Sequence, residues 1–115
     1  MQFQVWYMKP DWFIEGNCAR RQPDPTNLEK THVHLKDVEI ADGAVYHRNP
    51  MERVYHLMQG EVWSPNGEAR GLIKAKGLQH TSMSVGDVLV DPAGKVFVVA
   101  SFGFKEVGVE LEDVL

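Results

Sequence analysis

The sequence predicts an α+β fold: a small, mainly antiparallel sheet with two helices packed on one face and a β-hairpin towards the C-terminus. Two observations lead to this prediction. Apolar residues recur at every second position in residues 2–8 and 86–102, as strands require, and at helical spacing between residues 50 and 76. The order strand, strand, helix, helix, hairpin is typical of helices that lie against an antiparallel sheet.

The first predicted strand spans residues 2–8. Phe3, Val5 and Tyr7 alternate with their neighbours and so share one face, which we expect to be buried. Trp6 falls on the opposite face. Either both faces of the sheet are covered, or Trp6 is an exposed anchor of the kind that protein interfaces favour.

Two further strand regions follow. Residues 32–40 alternate less regularly but predict a second strand. In residues 86–102, the segment Asp91-Pro-Ala-Gly94 separates two apolar runs with residues that favour a turn, which predicts the hairpin. Whether residues 105–115 add a last strand stays open, although Val107, Val109 and Leu111 alternate.

Helices are predicted near residues 50–59 and 65–76, after a short helical turn over residues 10–16. Asn49-Pro50 and Ser64-Pro65 place a capping side chain before a proline, and a glycine ends each segment. We expect the helices and the hairpin to share one hydrophobic core, made of Val54, Met58, Leu72, Ile73, Val88, Val90, Phe97 and Val99.

Composition narrows the function classes. A chain of 115 residues predicts a single domain, residues 1–115, and a net charge of −4 argues against non-specific nucleic-acid binding. The single cysteine, Cys18, cannot form an internal disulfide, which favours a reducing, cytoplasmic location. No segment resembles a signal peptide or a membrane span, so we expect no membrane partner.

A polar segment leads into the hairpin. His80, Ser82 and Ser84 would share one face of a strand, and Gly86 would turn the chain so that Asp87 and His80 are exposed at one edge. Hydroxyls in such a segment more often bond the nearby backbone. The alternative is a recognition surface, with Trp6 as a further contact, because polar residues leading into so apolar a run conflict with the local pattern.

A second set of residues suggests a metal. His32 and His34 lie two apart on a predicted strand, so both imidazoles leave one face, and Glu39 follows five residues later. This set resembles the first motif of the cupins. The second cupin motif requires a histidine where this chain has Phe97, and a solvent-facing histidine pair is more common than a metal site.

The segment from His80 to Val90, with the hairpin after it, resembles the YodL-like domains of bacterial mobile elements and phages. Over nearly its whole length the chain also resembles uncharacterised short proteins of proteobacterial plasmids and integrated elements. The shared segments are Val5-Trp-Tyr-Met-Lys-Pro10, Thr31-His-Val-His-Leu-Lys36 and the stretch from Gln59 to Arg70. The resemblance implies an origin in the bacterial accessory genome and assigns no catalytic or ligand residues.

Two function hypotheses follow. The first is a non-catalytic binding or regulatory module that contacts a host or element-encoded protein, with no cofactor. The second is a small metal-dependent enzyme that uses His32, His34 and Glu39. The first is favoured because no complete catalytic set has the required spacing. The sequence leaves open whether the chain forms a homo-oligomer.

Overall fold

The computed structural model describes residues 1–15, 22–41 and 49–108 and has the expected α+β architecture. In this part of the chain, five antiparallel strands form one sheet in the order β2-β1-β3-β4-β5. Their bounds are Gln2–Met8 for β1, His32–Glu39 for β2, Val88–Val90 for β3, Val96–Val99 for β4 and Phe104–Glu106 for β5. The predicted hairpin is confirmed as β3 and β4, and β5 extends it by one strand.

A β-bulge explains why the second strand alternates poorly in sequence. Trp6 of β1 pairs with His34, but its neighbour Val5 pairs with Lys36, so Leu35 is an extra residue on β2. The bulge shifts the alternation by one residue. Val33 and Leu35 share one face before the shift, and the shift brings Val38 and Ile40 to that same face. Leu35, Val38 and Ile40 are buried there.

Within the described ranges, four short helices accompany the sheet. They are α1 (Pro10–Glu15), α2 (Pro50–Leu57), α3 (Gly60–Trp63) and α4 (Arg70–Ala75), and a 3-10 turn spans Leu28–Lys30. The Asn49 side chain accepts a hydrogen bond of 2.9 Å from the Met51 amide, which confirms the predicted start of α2. None of the described helices is long and apolar enough to cross a membrane.

The second predicted helix is shorter than expected. Residues after Ser64 form turns instead of continuing a helix from Pro65, and α4 begins only at Arg70. Gly67 has a φ of 86°, which is incompatible with an α-helix. The Ser64 hydroxyl instead accepts a hydrogen bond of 2.9 Å from the Ala69 amide and so closes this connection.

Two hydrophobic clusters lie on the two faces of the sheet. The main cluster lies between the sheet and α2, α3 and α4, and we call this side the helix face. Its buried members include Phe3, Val5, Tyr7, Leu35, Val38, Ile40, Val54, Met58, Ala69, Ile73, Leu78, Met83, Leu89 and Val99. The second face carries a smaller cluster of Leu28, Val88, Val96, Val98 and Val107, against which Trp6 and Val90 pack.

The prediction of one shared core was therefore wrong in part. Val88 and Val90 lie in the second cluster because neighbouring residues of a strand point to opposite faces, and Leu89 takes the place on the helix face. Phe97 is only half-buried and Leu72 is 37% exposed. The second cluster covers part of the face that carries Trp6, whereas Gln2 and Gln4 on the same face are exposed. Trp6 packs against this cluster and is partly buried, so it lies between the two alternatives for that residue.

Some sequence predictions fall outside the described residues. These are the end of the first helical turn at Gly16, the thiol of Cys18, and Val109 and Leu111 of the suggested last strand. The described last strand, β5, overlaps only the first two residues of that suggested range.

Candidate functional site

The segment from His80 to Asp87 is not a strand. Its backbone forms turns, and only its end bonds a neighbouring strand: the Gly86 amide donates to the Val99 carbonyl, and the Asp87 carbonyl accepts from the Val99 amide, each at 2.8 Å. The Thr81 carbonyl accepts hydrogen bonds from the Tyr7 hydroxyl at 2.6 Å and from the Trp63 indole at 3.0 Å. The prediction that His80, Ser82 and Ser84 share one face of a strand is therefore wrong. The Thr81 carbonyl bonds aromatic side chains on the helix face, not the backbone of a neighbouring strand.

Asp87 is fully buried rather than exposed at an edge. Its Oδ1 atom accepts a hydrogen bond of 2.8 Å from the Met8 amide, and its Oδ2 atom accepts one of 2.8 Å from the Ser84 amide. His80 Nε2 lies 2.9 Å from Oδ2. Gly86, with a φ of 99°, turns the chain so that the carboxylate points inward. The buried charge is thus balanced by three donors.

His80 lies partly at the surface, with 19% of its side chain exposed. Its ring stacks on that of Tyr7, with ring centroids 4.6 Å apart and an angle of 12° between the planes. Burial, and next the charge of Asp87, raise the pKa of Tyr7 far above its ordinary value. The Tyr7 hydroxyl therefore stays protonated and donates a hydrogen bond to the Thr81 carbonyl.

His32 completes what we call the polar cluster, which consists of Tyr7, His32, His80 and Asp87. His32 is 1% exposed, with Nε2 2.8 Å from the Gly86 carbonyl and Nδ1 2.7 Å from the Thr31 hydroxyl. Burial is the main cause that lowers the pKa of His32. The neutral ring fits both contacts, with Nε2–H donating to the carbonyl and Nδ1 accepting from the hydroxyl.

The two serines of the predicted surface also make contacts within the fold. Ser82 Oγ accepts a hydrogen bond of 2.7 Å from the Gly60 amide at the start of α3, and Ser84 Oγ donates one of 3.0 Å to the Ser82 carbonyl. Both side chains are only partly exposed. The segment therefore carries a histidine and a carboxylate in contact, but its two serine hydroxyls bond groups of the fold instead of His80.

The three suggested metal ligands do not come together. His34 Nε2 is 2.8 Å from Asp37 and its ring stacks on Trp6 at 5.2 Å, whereas both ring nitrogens of His32 have other partners. Glu39 lies at the far end of β2 and accepts a hydrogen bond of 3.0 Å from the N-terminal amine. Within residues 1–15, 22–41 and 49–108, no group of three histidine or acidic side chains could hold a metal ion.

Sequence reasoning missed a second candidate site, at the turn between β4 and β5. Phe102 lies in this turn and is 97% exposed. The turn is closed by a hydrogen bond of 2.9 Å from the Ala100 amide to the Gly103 carbonyl, and Gly103 has a φ of 77°. The sequence signal is a large aromatic residue between Ser101 and Gly103, where turn-forming residues predict exposure.

A groove of about 250 Å³ lies beside this turn on the helix face. We call Phe102 and this groove together the turn surface. The groove lies between the beginning of α2 and the last two strands, and Glu52 is the charged residue among those that line it. The lining residues are Glu52, Tyr55, Val85, Val99, Ala100, Ser101, Gly103 and Phe104.

Comparisons with protein-family models, with curated proteins and with solved structures found no match to this chain.

Proposed function

We propose that this chain is a small non-catalytic binding module that contacts another protein through the turn surface. The observation that carries the proposal is the exposure of Phe102, at 97%, on a turn closed by a backbone hydrogen bond. An aromatic side chain on a preformed turn supplies a large contact area at little entropic cost, which is typical of interface hot spots. The adjoining groove offers apolar walls for a side chain of the partner.

The polar cluster supports catalysis less well. Asp87 has no contact with solvent, and its carboxylate holds the backbone of β1 and of residue 84 in place. Ser82 and Ser84 are used within the fold as well. These contacts explain Ser82, Ser84 and Asp87 as structural residues, so neither serine hydroxyl is available as a nucleophile. A metal-dependent reaction at His32, His34 and Glu39 would need these residues to leave their present partners.

The origin of the protein is part of the proposal. The resemblance to YodL-like domains supports a mobile-element or phage accessory protein whose partner is a host or element-encoded protein. With a single cysteine in the whole sequence, the chain suits the reducing cytoplasm.

Photo-crosslinking from the turn tests the proposal. A benzophenone amino acid replaces Phe102 in one variant and Ala93, in the turn at the other end of β4, in a matched control. In a bacterial host lysate we expect the first variant to form a discrete adduct that the control lacks. Excess wild-type protein should compete for the partner and reduce the yield of the adduct, whereas excess Phe102→Ser should not reduce it. Identical adducts from both positions would overturn the proposal.

A further inference from the structure

Strand β5 is at the edge of the sheet, as far as the chain is described. The Ala100 amide bonds the Gly103 carbonyl, and the Val107 amide bonds the Val96 carbonyl at 2.8 Å, so Gly103 and Val107 direct their backbone groups towards β4. In an antiparallel pair this direction alternates from residue to residue. The N–H and C=O groups of Phe104 and Glu106 therefore point away from β4, out of the sheet.

The side chains of β5 carry an ordered pattern of charge. Phe104 and Glu106 share the helix face, where the Phe104 ring contacts Tyr55 edge-on at 6.4 Å, and Lys105 lies on the second face. An antiparallel strand added to this edge would meet Glu106 first, then Lys105, then Phe104. Cross-strand neighbours of opposite charge stabilise a sheet, and like charges destabilise it.

We propose that β5 binds an extended segment of the partner protein as a sixth, antiparallel strand, and that this segment has the sequence pattern basic, acidic, apolar. The basic residue lies opposite Glu106, the acidic residue opposite Lys105, and the apolar residue opposite Phe104 at the groove. Two residues further along, an apolar side chain meets Phe102. This inference rests on the proposed function and specifies how the partner binds.

A second copy of this chain fits the edge less well. Pairing two β5 strands about Lys105 places two lysines opposite each other, and pairing about Glu106 places two glutamates opposite each other. Pairing about Phe104 leaves Lys105 opposite Gly103 and Glu106 opposite Phe102, so neither charge is matched. Lysine on an edge strand is a common device against self-association.

Two synthetic peptides of equal composition test the charge pattern. The first contains Arg-Asp-Val-Thr-Leu, and the second contains Asp-Arg-Val-Thr-Leu, so only the order of the charges differs. We expect the wild-type protein to bind the first peptide about tenfold more tightly, because the second places like charges opposite both Glu106 and Lys105. Binding, followed by amide chemical shifts, should perturb Phe104 and Glu106 most. Equal affinity for the two peptides would overturn the proposal.

Two variants test the edge itself. Glu106→Pro removes an outward N–H and leaves the bonds to β4, since proline is tolerated where an edge N–H faces solvent. It should lose binding of the first peptide, whereas Glu106→Gln, which keeps the N–H, should weaken binding only a few-fold. The double variant Lys105→Glu/Glu106→Lys should reverse the peptide preference, and this decides the question even if Glu106→Pro does not fold. An unchanged preference in the double variant would overturn strand addition.

The outcome also separates this inference from the proposed function. Position 102 could crosslink a partner that the variant Lys105→Glu/Glu106→Lys binds as tightly as the wild type does. In that case the partner binds through the turn alone, and strand addition is overturned. If the peptides bind as expected while the crosslinks from positions 102 and 93 are identical, strand addition stands and the role of the turn is overturned.

Discussion

His80 and Asp87, seven positions apart in the sequence, are in direct contact: Nε2 of the histidine lies 2.9 Å from Oδ2 of the aspartate. The aspartate also accepts a hydrogen bond from the Met8 amide, and the histidine ring stacks on the ring of Tyr7. These contacts hold the polar segment before β3 against the neighbouring strand β1. Most of the polarity that makes this segment conspicuous in the sequence is used to hold it there.

Removing the Asp87 carboxylate should destabilise the fold strongly. Asp87→Ala leaves the Met8 and Ser84 amides buried without acceptors, and we expect a loss of about 3–5 kcal/mol in the free energy of unfolding. Asp87→Asn keeps one acceptor oxygen, so its free energy of unfolding should fall by less than that of Asp87→Ala. Urea titration measures both values, with Asp37→Ala at the surface as the control. A loss below about 1 kcal/mol for Asp87→Ala would contradict the role assigned here.

The main elements of the fold were predictable because local signals agreed. Alternation defined β1, and the turn residues after Asp91 defined the hairpin. Asn49 defined the start of α2. The bulge at Leu35 and the turns after Ser64 were not predictable, because each depends on contacts that form only in the folded state: pairing with β1 for the bulge, and the Ala69 amide for the turn.

The candidate site was predictable only in part. Sequence patterns show that Asp87 is polar and follows a glycine, but burial of its charge depends on donors from β1 and from His80 that are distant in sequence. Phe102 is the opposite case. Its exposure follows from the turn residues on either side, but its position after an apolar run suggested a continuing strand.

Stability should depend on pH through His32. Burial lowers the pKa of this histidine, so below its unfolded pKa of about 6.5 the unfolded chain binds more protons than the folded one. We therefore expect the contribution of His32 to be constant above pH 7 and to be lost as the pH falls through 6.5. The measurement is the free energy of unfolding between pH 8 and pH 5.

Matched variants assign this pH dependence to one residue. His32→Gln should flatten the decline, because glutamine does not titrate. His56→Gln, at an exposed position on α2, should leave the decline as in the wild type. If the free energy of unfolding of His32→Gln falls with pH in parallel with that of the wild type, His32 is not the group that causes the pH dependence.

Removing metal should have no effect on folding. The ring nitrogens of His32 already have partners in Thr31 and Gly86, and Glu39 pairs with the N-terminal amine. We expect the same melting temperature with and without EDTA, and no stoichiometric zinc, iron or manganese on the purified protein. A bound metal that disappears in His32→Ala/His34→Ala would instead support the enzyme hypothesis.

Truncations in the hairpin should distinguish a fully buried residue from its half-buried partner on the opposite strand. Leu89 is fully buried on the helix face, and Leu89→Ala should cost about 2–5 kcal/mol. Phe97, directly opposite on β4, is only half-buried, so Phe97→Ala should cost less, about 1–2 kcal/mol. Urea titrations compare the two variants. A larger loss for Phe97→Ala would mean that Phe97 is the better buried of the pair.

The turn surface should contribute to binding without contributing to folding. Since Phe102 is 97% exposed, Phe102→Ser should change the free energy of unfolding by less than about 0.5 kcal/mol. Phe104 lies two residues away and packs against Tyr55, so Phe104→Ala should be measurably destabilising and serves as the contrast. If Phe102→Ser instead costs more than about 1 kcal/mol, its ring is part of the core, and the case for a binding turn fails.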